Sequence, residues 1–440
     1  MKNCRDTALV VLMTCRKDGA WSDGALKTAV SDLSTQDAAL ATRLVYGVLQ
    51  NRLRLDFILS AYCSQKPEKL EPLLLDILRL GAYQILYLDR IPDSAAVNES
   101  VELAKKHGKR QASGLVNAVL RKVSQNKNAL PEIPKTDLAT YLSLTYSHPK
   151  WLVKRLLTLL GEGGAEGFLR ENNALAPLTV QVNRLKIDSI GLTQALEDEG
   201  VTVSPHPWLA DCLLLSGTGN LSALTAFQRG LFWVQDPAAK LVSLAAGCQP
   251  GDHVIDVCAA PGGKSFAAAV AMADRGRILS CDIHTHKLGL LQLGAERLGL
   301  SCIQPMLADG REHREMLEDW GDIVVVDAPC SGLGIIRKKP DIRYKAPGEL
   351  TGLSTLQGEI LANAATYVKP GGVLVYSTCT ILPEENQGVT DSFLDSHPDF
   401  SRETFSLPTP IGGVEGQLTL WPQTHGTDGF YICRMRRNTL

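Results

Sequence analysis

Asp256-Val257-Cys258-Ala259-Ala260-Pro261-Gly262-Gly263-Lys264-Ser265 follows the apolar run that starts at His253 and opens the alanine-rich run that starts at Lys264. Adjacent glycines directly after a strand let backbone approach a ligand with no Cβ in the way. The N-terminus of the following helix turns unpaired N–H groups toward negative charge. The stretch therefore reads as a strand–loop–helix turn built around a ligand. It does not match the dinucleotide fingerprint G-x-G-x-x-G. It approaches the phosphate loop G-x-x-x-x-G-K-[ST] through Gly263-Lys264-Ser265, with Asp327 imitating a metal-binding carboxylate. Cys258, however, stands at the first glycine position, and Pro261 removes one of the N–H donors that would cradle a phosphate. A nucleotide triphosphatase is thus the competing reading of this loop.

Outward from it, strands and helices alternate. Strands are expected over His253–Val257, Arg277–Asp282, Cys302–Leu307, Asp322–Asp327 and Gly372–Ser377, and helices over Lys264–Asp274, Thr285–Leu298 and Gly348–Val368. Leu418–Trp421 and Gly429–Arg434, joined through His425–Gly429, read as an antiparallel hairpin. This order implies an α/β fold: a doubly wound, mostly parallel sheet over residues 236–440, with its ligand outside the carboxyl ends of the strands. Residues 149–235 carry short mixed elements, a small α/β unit with a helix at Trp151–Leu160, a strand at Leu178–Val182, a helix at Ile190–Glu199 and a strand at Leu213–Leu215. Residues 1–130 show apolar spacing of three and four and read as an all-helical domain, beginning with Thr7–Met13, and the proline-bearing residues 131–148 read as a linker.

Composition narrows the function. The 440 residues hold 45 Lys+Arg and 47 Asp+Glu, a net charge of −2. Residues 1–130 nevertheless carry 19 cations and 13 anions, so a basic front precedes an acidic body, as expected of a polyanion-binding appendage. No run reaches the roughly 18 apolar residues that cross a bilayer. Eleven cysteines without C-x-x-C spacing predict free thiols in a cytoplasmic protein, with no metal ligand set.

Three aspartates mark successive strand ends. Asp282 lies about 20 residues past the glycines, where a carboxylate accepts ribose hydroxyls; Asp309 is placed for an adenine amine; Asp327 ends the fourth strand. A ligand with hydroxyls, an amine and a positive charge fits them, and S-adenosyl-L-methionine has all three. Beyond the fourth and fifth strands come Asp327-Ala328-Pro329-Cys330-Ser331-Gly332 and Ser377-Thr378-Cys379-Thr380, which should bring two thiols 49 positions apart into one crevice. Thiols suit methylation of a pyrimidine carbon 5, which has no lone pair. A thiolate added at carbon 6 makes carbon 5 nucleophilic, and a second group then removes the carbon-5 proton. Asp327 could bond ring N3 or the exocyclic amine. The residues alone leave open which thiol attacks.

The segments Val234-Gln235-Asp236, Asp327-Ala328-Pro329-Cys330-Ser331-Gly332, Ser377-Thr378-Cys379 and Glu384-Glu385-Asn386 resemble the RNA cytosine-C5 methyltransferases, in particular the bacterial 16S ribosomal RNA enzymes of the Sun/Fmu type. The likeness extends over the helical front, which is similar to the antitermination factor NusB, and the small middle unit. It implies a NusB-like RNA-binding domain, an RNA-binding middle unit and a Rossmann-like class I methyltransferase sheet. It further implies a donor pocket of Cys258, Ala259, Ala260, Pro261, Gly262, Gly263, Lys264, Asp282, Asp309 and Asp327. Cys379 would be the nucleophile, and Cys330 would assist proton removal and product release. The implied partner is 16S ribosomal RNA, free or partly assembled, met by a monomer. A NusB-like scaffold with an inactive sheet is the non-enzymatic alternative. For RNA contact the cation-rich stretch Arg337-Lys338-Lys339-Pro340-Asp341-Ile342-Arg343-Tyr344-Lys345 is the first candidate, joined by Arg43, Tyr46, Lys105, Lys106, Lys109, Arg110, Arg121 and Lys122 in the helical domain.

Overall fold

A computed structural model describes residues 3–18 and 21–439. They form two compact units. One comprises residues up to Ala174 together with Ile336–Ala346; the other comprises Leu175–Ile335 and Pro347 onward.

The first unit is helical: Cys4–Asp18, Ser22–Ala29, Thr35–Ser60, Pro72–Tyr87, Asp93–Lys106, Ser113–Gln125, Leu138–Tyr146 and Lys150–Glu171. Local chemistry sets the helix starts. Ser34 caps the third helix by accepting the Asp37 N–H, and Pro72 opens the fourth, where its missing N–H costs nothing. The fourth helix is the centre of the unit, with Ile77, Leu78, Leu80 and Ala82 fully buried among Leu44, Val45, Leu55, Val97 and Leu120. A Cβ on Gly47 would lie 1.9 Å from the Tyr83 ring, so only glycine admits that close approach of the third and fourth helices. Arg79 grips Asp56 through two bonds of 2.7 Å and Asp76 through one of 3.0 Å.

The expected linker contains the helix Leu138–Tyr146, ended by Ser147 in the left-handed region (φ 55). Nine residues are too few to show a stripe, and the prolines before them are the stronger local signal. The helix expected at Trp151–Leu160 continues to Glu171 across a break at Gly161 (φ 67, ψ −177), and it belongs to the helical unit.

The second unit holds two main sheets. The small one is antiparallel, in the order Thr202–Pro205, Cys212–Ser216, Leu178–Val182, Phe232–Val234, with the helix Ser189–Glu197 beside it. Asn183 ties it to the end of the helix Thr285–Leu298 by donating to the Gly230 and Leu298 carbonyls, both at 2.9 Å. The larger sheet comprises β1 (His253–Asp256), β2 (Arg277–Asp282), β3 (Ile303–Leu307), β4 (Gly321–Asp327), β5 (Val368–Thr378), β6 (Phe400–Arg402), β7 (Gln417–Leu420) and β8 (Phe430–Arg437). Its order is β6-β8-β5-β4-β1-β2-β3, with β7 on β8; β5, β4, β1, β2 and β3 run parallel, and β7–β8 is the expected hairpin. The central parallel strands carry buried Val, Ile and Leu runs, Val254–Ile255 in β1, Ile323–Val326 in β4 and Val373–Val375 in β5, as expected of a sheet covered on both faces. The expected helix over Gly348–Val368 is shorter, Leu353–Ala365, after a turn at Pro347–Leu350.

Candidate active site

Each parallel strand delivers a functional group at its carboxyl end. Asp256 ends β1, and its carboxylate accepts the Ser265 hydroxyl at 2.7 Å, itself bonded to Ser280. Burial pushes the Asp256 carboxyl up to about 6, so this group supports the loop from beneath. In the loop, Gly262 has φ +109, and a Cβ there would strike the Phe266 ring at 2.5 Å. Gly263 opens the helix Gly263–Ala271 with the Gln235 amide across from it, 3.4 Å from where a Cβ would stand. Gln235 accepts the Trp233 indole N–H through Oε1, while its Nε2 is a buried donor with no protein partner among the described residues. Burial and nearby carboxylates raise the Cys258 thiol far above its usual range, which makes it a wall and no nucleophile.

Asp282 ends β2, is 8% exposed, and spends Oδ1 on the His284 N–H at 2.9 Å. Asp309 is clasped by Arg311 through Nη2–Oδ2 at 2.6 Å and Nε–Oδ1 at 3.0 Å, and those bonds hold its carboxyl at about 2. No motif pointed to Arg311, although its place two residues after Asp309 is the available signal. Asp327 ends β4, accepts the Ser377 hydroxyl from β5 at 2.9 Å and pairs with the Lys264 ammonium. Burial disfavours the Lys264 charge, but Asp327 and Asp256 outweigh it, and its pKa lies above that of a free lysine. Lys264 is thus engaged with the carboxylate that the triphosphatase reading needs for a metal.

The two thiols do meet: Cys330 Sγ lies 3.3 Å from Cys379 Sγ. The hydrogen bond with Cys379 and then burial raise the Cys330 thiol well above its usual value, with the Cys379, Glu385 and Asp327 charges adding to it. Cys330 therefore keeps its proton and can donate it toward Cys379. The loops carrying them cross at Gly334, whose N–H donates to the Cys379 carbonyl at 2.9 Å; a Cβ there would fall 1.9 Å from the Gly429 carbonyl oxygen. Cys330, Cys379, Asp327, Asp282 and the glycine loop all stand at the same edge of the sheet, as the topology required.

The cation-rich stretch behaves differently. Arg343 is 0% exposed within the helical unit and donates to the Gln50 and Ser147 carbonyls at 2.9 and 3.1 Å and to Asn173 Oδ1 at 3.1 Å. The expected phosphate contact by Arg343 is therefore corrected: the residue is an internal anchor. Lys339 pairs with Asp23 at 3.0 Å, Arg337 and Lys338 are half-buried, and Tyr344 donates to the Leu49 carbonyl beneath the Arg52 guanidinium. Among the helical-domain candidates, Lys105 pairs with Glu102, Lys106 with Asp6 and Lys109 with Glu71, while Arg43, Arg110, Arg121 and Lys122 are exposed. No helix among the described residues is long and apolar enough to cross a membrane.

A strand-end glycine loop, a thiol pair and a helical front stand on the segments that three methyltransferase-related family models match. The 16S rRNA methyltransferase RsmB/F model matches residues 244–436, the NusB family model residues 2–125, and the ferredoxin-like domain model of RsmF/B-like methyltransferases residues 148–222. The chain is 38% identical over 444 residues to the probable ribosomal RNA small subunit methyltransferase B of Bacillus subtilis, covering 98% of both chains, and 34% identical to that of Synechocystis, covering 99% of this chain and 100% of that one. It is similar over 99% of both chains to the crystal structure of PH0851, with 26% identity and a TM-score of 0.82. The chain belongs to the ribosomal RNA small subunit methyltransferase B family.

Proposed function

We propose that the protein transfers a methyl group from S-adenosyl-L-methionine to carbon 5 of a cytosine in 16S ribosomal RNA through a covalent adduct with Cys379. The observation that carries this reading is the 3.3 Å approach of two sulfurs at adjacent strand ends beside Asp327. Transfer to an amine or hydroxyl would need no such pair.

The residues present fit the methyl donor. Asp282 has an oxygen beyond the one bonded to His284 with which to accept a ribose hydroxyl, and the orphaned Gln235 Nε2 faces the glycine cradle. Asp309 would share its carboxylate between Arg311 and the adenine amine. When bound, the donor supplies an electrophilic methyl on a sulfonium. Cys379, as thiolate, adds to carbon 6 and makes carbon 5 nucleophilic, while Asp327 accepts a bond from the exocyclic amine. Once Cys379 is bonded to carbon it no longer accepts the Cys330 hydrogen bond, the largest cause of the raised Cys330 pKa, and its charge no longer adds to it. Cys330 can then release its proton to solvent and take the carbon-5 proton, and the Cys379–carbon bond breaks to restore the thiolate.

A paired or stacked cytosine must first be turned out of its helix, at a cost of a few kcal/mol. That cost favours free or partly assembled RNA over finished subunits. Denaturing gels with wild-type, Cys379→Ser and Cys330→Ser chains test the reading. Cys379→Ser should lose transfer by at least ~10³-fold with no adduct, and Cys330→Ser should accumulate a protein–RNA adduct. Full transfer by Cys379→Ser would overturn it.

A further inference from the structure

We propose that Glu385 is a positioning residue that fixes Cys330 against Cys379, so that the covalent adduct is resolved. This rests on the covalent reading above. Glu385 is 2% exposed on the turn Pro383–Glu385 that follows β5. Its Oε2 accepts the Ser331 N–H at 2.8 Å and the Gln357 amide at 2.9 Å, and the same Gln357 nitrogen donates to the Pro329 carbonyl at 2.9 Å. Both neighbours of Cys330 are thereby tied, one to the carboxylate and the other to its amide partner. On the other side, Thr380, next to Cys379, donates to Glu385 Oε1 at 3.4 Å and shares a 2.6 Å bond with the Ser331 hydroxyl. The Tyr376 hydroxyl holds the Glu385 carbonyl at 2.7 Å, and Asn386 accepts the Thr378 hydroxyl at 2.5 Å and donates to the Thr380 carbonyl at 3.2 Å.

A buried carboxylate is costly unless its oxygens are bonded, and here it is the acceptor on which donors from three separated segments converge. An apolar residue would leave the Ser331 N–H without its acceptor and free the Cys330 loop to shift. A displacement of about 1 Å in a reacting group can cost about 100-fold in rate. The Glu385 charge adds to the rise of the Cys330 pKa, and its carboxylate holds the Cys330 loop through Ser331, Gln357 and Thr380.

The test compares full-length Glu385→Ala, Glu385→Gln and Cys330→Ser, with methyl-labelled donor and a 16S RNA fragment, reading turnover, adduct on denaturing gels, and donor affinity. Glu385→Ala should lower turnover about 100-fold and accumulate adduct as Cys330→Ser does, with donor affinity unchanged within about twofold. Glu385→Gln, which retains an acceptor oxygen, should recover turnover to within about tenfold of wild type. Adduct in Cys330→Ser with wild-type turnover by Glu385→Ala would overturn the positioning role and leave the covalent reading intact. So would a parallel loss of donor affinity, adduct formation and turnover in Glu385→Ala, the mark of a merely structural residue. Absence of adduct from all three chains, with transfer intact, would overturn the covalent reading itself. If Glu385→Ala does not fold, Gln357→Leu, which cuts the Pro329 tether, should show the same accumulation, and its failure to do so would count equally against the proposal.

Discussion

Lys264 and Arg343 are both cations taken almost out of water, and they are held in opposite ways. Lys264 faces a carboxylate, Asp327, at the carboxyl edge of a parallel sheet, and the pair raises its pKa. Arg343 faces two carbonyls and a side-chain amide, with no anion bonded to it among the described residues, and burial lowers its pKa to about 10. A buried cation with a counter-charge at a strand end belongs to a site that can use charge. One surrounded by neutral acceptors stitches chain segments together. Each region can be made to fail in its own way.

The largest expected effect is in the first region. Asp327→Asn should reduce methyl transfer about 10²–10³-fold, measured as turnover at saturating donor, because it removes the negative charge that pairs with Lys264 and that is proposed to face the target base. Arg343→Met should cost about 2–4 kcal/mol in urea denaturation of the full chain, since the Gln50 and Ser147 carbonyls lose a charged donor, while the salt dependence of RNA affinity stays unchanged. A reduced salt slope with unaltered stability would return Arg343 to the RNA surface and erase the contrast.

Asp256 gives a smaller, pH-dependent effect. Burial raises its folded-state value to about 6 from an ordinary 3.8, so the folded chain prefers the neutral acid. Its contribution is complete below about pH 4 and is lost as pH rises through about 6, on the order of 3 kcal/mol. Asp256→Asn should flatten that part of the stability profile; an unchanged profile would show that the carboxyl titrates normally. Least affected is Lys106→Ala, whose partly exposed pair with Asp6 is worth under about 1 kcal/mol to stability. If Lys106 also meets phosphate, the salt slope of RNA binding falls by about one.

The sheet and its crevice were legible in the sequence because their signals are local. A run of Val and Ile, a glycine pair and an aspartate at the strand end all fall within ten residues, and the parallel order then places Cys330 beside Cys379. The burial of Arg343 was not legible, because its acceptors, Gln50, Ser147 and Asn173, lie more than 160 positions away, and a cation-rich loop looks the same whether it meets phosphate or carbonyl oxygen. Glu385 was visible only as part of a motif; its role depends on Ser331 and Gln357, which converge on it through the fold. The helix Leu138–Tyr146 was hidden by its length, and Arg311 by having no motif of its own.

The most direct test of the central claim is the chemical identity of the product. The full-length chain is incubated with methyl-labelled S-adenosyl-L-methionine and 16S ribosomal RNA, the RNA is digested to nucleosides, and the label is identified by chromatography and mass. The account predicts label in 5-methylcytidine. Label in a ribose-methylated or amine-methylated nucleoside, reached without any covalent protein–RNA species, would contradict it.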